Sequence, residues 1–159
     1  MRPFKSSLLC CLLLISFPLI SPCQSEAYQQ QKAEKLAQKS PFEKIIDREL
    51  PATIEYEDDD IIAFIPLRRQ APVHLLIVPK KRIPTLNDLT PGDEILLGKM
   101  FLVAQKLAKE KGIAETGYRT VFNNNEDAGQ SVFHLHMHLL GAKKLGPMVT
   151  QDYVEEKKN

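Results

Sequence analysis

Tryptophan is absent from this 159-residue chain, and cysteine occurs only as Cys10, Cys11 and Cys23. A chain cut after residue 23 therefore has no disulfide framework and no thiol chemistry, and packing must hold it. Neither sign of charge dominates, with 21 Lys and Arg against 20 Asp and Glu. That balance lacks the basic field of a dedicated nucleic-acid binder, so no nucleic-acid partner is expected. Long apolar runs are also missing. The longest, residues 8–20, is broken by Ser16 and Pro18, and it is too short to cross a hydrocarbon core of about 30 Å as a helix. With 43% hydrophobic residues, the chain suits one domain with appendages.

The N-terminus stands apart. Arg2 and Lys5 precede the apolar run, and no acidic residue occurs before Glu26. This is the layout of a signal peptide over residues 1–23, cut before Gln24 or before Tyr28, and it implies export to a secreted or periplasmic location. The alternatives are an organelle transit segment, a start-site artefact, or a lipid anchor on Cys23, although Pro22 suits a lipobox poorly. Residues 24–40 are Gln- and Lys-rich, with too little to bury to offset the entropy of ordering. They read as a polar spacer outside the fold.

From Ser40 the texture changes. Ser40-Pro41 with Glu43 three residues on reads as the start of a short helix ended by Pro51. Short β runs follow at residues 53–56 and 61–65, with the acidic cluster 57–60 as a solvated turn between them, and a third at residues 73–78. Residues 90–111 form the clearest helix, with Thr90 as N-cap, Pro91 at its first position and Gly112 at its stop. Two more strands are expected at residues 118–123 and 131–140. Helix, three strands, long helix, two strands is an α+β pattern with a mostly antiparallel sheet, because only one link is long enough for a crossover helix.

The chain has four histidines, and three of them lie in Phe133-His134-Leu135-His136-Met137-His138-Leu139-Leu140. Alternation along a strand sends the three imidazoles to one face and Phe133, Leu135, Met137 and Leu139 to the other. Core packing gains nothing from three adjacent polar rings, so a row of merely buried histidines is a poor explanation. Two chemical uses remain. In one, an imidazole nitrogen attacks phosphorus while a neighbouring ring supports the phosphoryl oxygens; in the other, His-x-His binds zinc. The lead-in Asp127-Ala128-Gly129-Gln130-Ser131 favours the first. It offers Gly129 for close backbone approach, free N–H groups and a hydroxyl, and no carboxylate shares the imidazole face.

The run 134–140 resembles the histidine-triad signature, His-φ-His-φ-His-φ-φ with φ apolar. The resemblance continues in Phe42-Glu43-Lys44-Ile45-Ile46, Glu57-Asp58-Asp59, Ala63-Phe64, the run 70–81, Gly117-Tyr118-Arg119 and Gly129-Gln130-Ser131-Val132. It covers residues 41–141, leaves 142–159 as a C-terminal tail, and points to the nucleoside phosphoramidase branch of the histidine triad (HIT) family. The resemblance implies a HIT-like α+β fold, a five-stranded antiparallel sheet with one short and one long helix, in a homodimer. It further implies that His136 is a nucleophile that becomes nucleotidylated, with His138 and His74 contacting phosphate and His134 holding the row. Ser131 would bond the leaving-group atom, with Asn123, Gly129 and Gln130 near phosphate and ribose and Phe64 lining the cleft. The substrate would be a nucleotide or nucleoside phosphoramidate, and no metal or cofactor is needed.

The chain departs from that pattern in three places. Pro66 stands where relatives carry an Asp for the ribose hydroxyls, and Arg68 and Arg69 follow close by. Ser40 and Glu43 replace a cysteine pair that forms half of a zinc site in some relatives. No tryptophan is available to close the cleft. A nucleotidyl transferase is disfavoured because His138 is retained, whereas an exported metal-binding protein and a nucleotide-binding module without turnover remain as rival readings.

Overall fold

The computed structural model describes residues 26–148; the expected signal peptide, Cys23 and the end of the tail lie outside them. Three helices, α1 (Glu26–Leu36), α2 (Pro41–Ile46) and α3 (Glu94–Glu110), accompany five strands. The strands are β1 (Ile54–Glu57), β2 (Ile61–Phe64), β3 (Val73–Pro79), β4 (Tyr118–Val121) and β5 (Met137–Gly141). They form one antiparallel sheet in the order β1-β2-β3-β5-β4. The fold is α+β, as the sequence leads one to expect. No helix among the described residues is long and apolar enough to cross a membrane.

Strand alternation divides the core. Ile61, Ala63, Leu75, Ile77, Met137 and Leu139 face α3, which contributes Met100, Val103, Ala104, Leu107 and Ala108. Ile62, Phe64, Leu76 and Val78 face the opposite way and pack with Phe42 of α2. That second face is only partly covered, and the remaining space is the cleft described below.

Three local expectations need correction. Residues 24–40, read as a spacer outside the fold, contain the helix α1, and it docks on the domain. The Tyr28 ring meets Phe133 edge-on at 5.9 Å, and Lys32 Nζ donates to Asn125 Oδ1 at 3.0 Å. Contact with the domain supplies what the polar sequence alone does not. The long helix starts later than Thr90. Thr90 and Asp93 exchange capping contacts, but residues 91–93 make a 3-10 turn before α3 begins at Glu94.

The last strand begins at Met137 and not at Ser131, because its partner runs out. Met137 pairs with Ile77, and Pro79, two residues further along β3, has no N–H to offer a longer ladder. The Pro79 carbonyl is occupied by the His134 ring instead, and the Leu135 N–H donates to the Ile83 carbonyl at 2.6 Å.

Gly141 closes β5 where an added Cβ would stand 2.7 Å from Ile113 Cδ1, in a side chain only 2% exposed. Overpacking of this kind costs about 1–3 kcal/mol. Gly141→Ala is therefore expected to lower the unfolding free energy by that amount, read as a lower denaturant midpoint with an unchanged slope.

Candidate active site

The site is assembled from the inside outward. Ser40 caps α2: the Glu43 N–H donates to Ser40 Oγ at 3.1 Å, and the Ser40 N–H donates to Glu43 Oε2 at 2.7 Å. The same hydroxyl lies 3.1 Å from His134 Nδ1. His134 is fully buried, and its Nε2 is 2.7 Å from the Pro79 carbonyl oxygen. A carbonyl can only accept, so Nε2 carries the proton, and Nδ1 accepts from Ser40. His134 thus makes no opening to solvent. What it offers the site is its own carbonyl, 2.7 Å from His136 Nδ1.

That carbonyl decides the tautomer of His136. Nδ1 must donate, which leaves Nε2 with a bare lone pair. Burial depresses the His136 pKa below the ordinary imidazole value, although the carbonyl contact works the other way, so the ring is neutral near pH 7. Phe42 packs against its side with ring centroids 5.0 Å apart.

His138 is oriented from the neighbouring strand. The Gln70 N–H donates to His74 Nδ1 at 3.1 Å, so the His74 proton sits on Nε2, 2.9 Å from His138 Nδ1. His74 therefore donates to His138, and the His138 proton lies on Nε2, which is buried and has no partner among the described residues. A buried N–H without an acceptor is costly and calls for an explanation. His136 and His138 have ring centroids 5.1 Å apart, so the ring with a bare nitrogen and the ring with an unspent donor are neighbours. Burial and the neighbouring His136 and His74 push His138 down to about 4.

Both rings line a cleft of about 800 Å³. Its walls come from α2, the β2 end and the segment before β5, including Phe42, Ile45, Phe64, Pro66, Leu67 and Ser131. No carboxylate is among the described residues that line it. His138 also borders a more polar hollow of about 520 Å³ lined by Gln70, Arg119 and Asn123.

The residues singled out in the sequence thus divide. His136, His138, Ser131 and Phe64 meet at the cleft, His74 stands behind His138, and Asn123 lies on the other side of that ring. Gln130 does not reach the cleft with free groups. Its Oε1 accepts from the Asn125 N–H, its Nε2 donates to the Pro84 and Val132 carbonyls, and its own N–H is taken by Asn125. Gln130 staples the loop from inside, and Gly129, at φ +70°, gives that loop its left-handed turn. Among the described residues no three His, Cys, Asp or Glu side chains group as a metal site.

The HIT domain family model matches residues 47–145. The chain belongs to the HIT domain family. It is 50% identical over 114 residues to the purine nucleoside phosphoramidase of Escherichia coli K12, covering 72% of this chain and 96% of that one. Among solved structures it is similar to a HIT family hydrolase from Legionella pneumophila, with 48% identity, TM-score 0.67, and coverage of 68% of this chain and 96% of the other. A HIT family hydrolase from Clostridium thermocellum gives 45% identity, TM-score 0.68, and coverage of 70% and 97%. The present chain is accordingly a hydrolase of this HIT family.

All four histidines have folded-state values below the ordinary 6.5. The unfolded chain then binds more protons in mildly acidic solution, so stability is complete above about pH 6.5 and is lost as pH falls toward 4. Thermal melts between pH 7 and pH 4.5 are expected to follow that slope, and His138→Gln to make it shallower.

Proposed function

We propose that this hydrolase cleaves the P–N bond of a nucleoside phosphoramidate through a nucleotidyl-His136 intermediate. The observation that carries the reading is the paired state of the two rings, one bare Nε2 on His136 beside one unspent Nε2–H on His138. The His136 lone pair forms a bond to phosphorus while the P–N bond breaks. The bonding pair leaves with the amine nitrogen, which takes up a proton from solvent water, and the Ser131 hydroxyl at the cleft wall hydrogen-bonds that departing atom. His138 Nε2–H donates to a phosphoryl oxygen, with His74 fixing its direction. Water then adds to phosphorus, the electron pair returns to His136, and the attacking water gives one proton back to solvent, balancing the one taken up by the amine. The products are a nucleoside monophosphate and an amine.

The purine nucleoside phosphoramidase of Escherichia coli supports this substrate class, and the apolar cleft wall suits a flat base. No carboxylate is among the described residues of that wall, so they offer no carboxylate acceptor for a ribose diol. Export through residues 1–23 belongs to the same proposal.

Intact-mass analysis after incubation with a nucleoside phosphoramidate tests the chemistry. A nucleotidyl adduct on the peptide carrying residues 133–140 is expected. His136→Ala is expected to abolish it and to lower kcat/KM by at least roughly a thousand-fold. An equally active His136→Ala enzyme would overturn the reading, and stoichiometric zinc in the purified protein would favour the metal alternative.

We further propose a homodimer through β4 and α3. β4 is an edge of the sheet, and Phe101 and Leu102 on α3 are 52% and 66% exposed. Unpaired strand edges and exposed apolar patches are surfaces that partners cover. Leu102→Glu is expected to shift sedimentation from dimer to monomer; an unchanged mass for both proteins would refute this arrangement.

A further inference from the structure

α1 and α2 both precede residue 47, where the family match begins. Arg82 joins them to the triad segment. Its Nη1 donates to the Gln38 carbonyl at 2.9 Å and its Nη2 to the Lys35 carbonyl at 3.2 Å, satisfying oxygens at and just beyond the end of α1. Its Nε points to the Phe133 carbonyl at 3.5 Å, and Nη1 lies 3.2 Å from Glu43 Oε2. One guanidinium therefore touches two helices and the peptide immediately before His134. Arg suits this task because its planar fork presents several fixed donors, which the compact ammonium of Lys does not.

From Arg82 the contacts continue inward to the reacting ring. Glu43 holds the Ser40 N–H, Ser40 holds the His134 ring, and the His134 carbonyl holds His136 Nδ1. α1 adds a second hold on the loop that leads into the triad. Lys35 Nζ donates to the Ser131 carbonyl at 3.0 Å, and the Lys32 ammonium sits 5.4 Å above the Phe133 ring.

We propose that Arg82 is a positioning residue for His136, clamping α1, α2 and the triad segment together, so that α1 belongs to the scaffold of the active site. The inference rests on the reading of His136 as the nucleophile. Arg82 contacts no surface of the cleft, so its loss acts on the alignment of the attacking nitrogen and leaves substrate affinity largely alone.

The test uses the full-length chain with Arg82→Gln, Arg82→Lys and Lys35→Met. Arg82→Gln is expected to lower kcat roughly three- to thirty-fold, with KM close to that of the unaltered protein and Arg82→Lys falling in between. Hydrogen exchange at the Leu135 amide, bonded to Ile83 beside Arg82, is expected to accelerate in both Arg82 variants. Should Arg82→Gln not fold, Arg82→Lys and Lys35→Met carry the comparison, with smaller losses of kcat expected in each. An unchanged kcat together with unchanged Leu135 exchange would overturn the proposal, as would a loss of activity that merely follows the unfolded fraction. If the unaltered protein turns over no phosphoramidate, the nucleophile reading fails, and Leu135 exchange alone decides whether the clamp exists.

Discussion

The hydrogen bond from His136 Nδ1 to the His134 carbonyl is the constraint on which the site depends. It fixes the ring's orientation and settles which nitrogen carries the proton, and it does so with a backbone group that cannot itself titrate. The rest of the neighbourhood holds that carbonyl still. His134 is buried because its two ring nitrogens are both spent, on Ser40 and on Pro79. Of three histidines in a row, the first therefore serves by its main chain and the second by its side chain.

The sheet explains how a reactive row coexists with a well-packed interior. One face of β2, β3 and β5 gives its apolar side chains to α3. The other gives Phe64 and Leu76 to α2, and the same face carries His74 and His138. His74 and His138 are diagonal neighbours across β3 and β5, since His138 pairs directly with Leu76 and His74 with Leu140. That register brings the two rings into contact without any loop having to close over them.

Much of this was legible in the amino-acid order. The α+β class, the three-strand meander, the α2 cap at Ser40 and the approach of His136, His138 and Ser131 all followed from alternation, capping patterns and the triad resemblance. The parts that escaped are those decided by distant partners. The start of β5 depends on Pro79, more than fifty residues upstream in the chain. The order of α1 depends on Arg82 and on the loop 124–133, neither of which its own polar composition reveals. Gln130 carries the same amide whether it meets a ligand or staples a loop, and only its neighbours Asn125 and Pro84 assign it to the second role.

The direction of the protons across the paired imidazoles has one more consequence. At neutral pH both imidazoles bordering the cleft are uncharged, and no lysine or arginine is among the described residues that line it, so an anion entering there meets oriented dipoles. Mobile ions do little to screen such short-range attraction. Concentrated electrolyte, which loosens the grip of proteins that cradle phosphate with lysine or arginine, leaves this kind of recognition nearly intact.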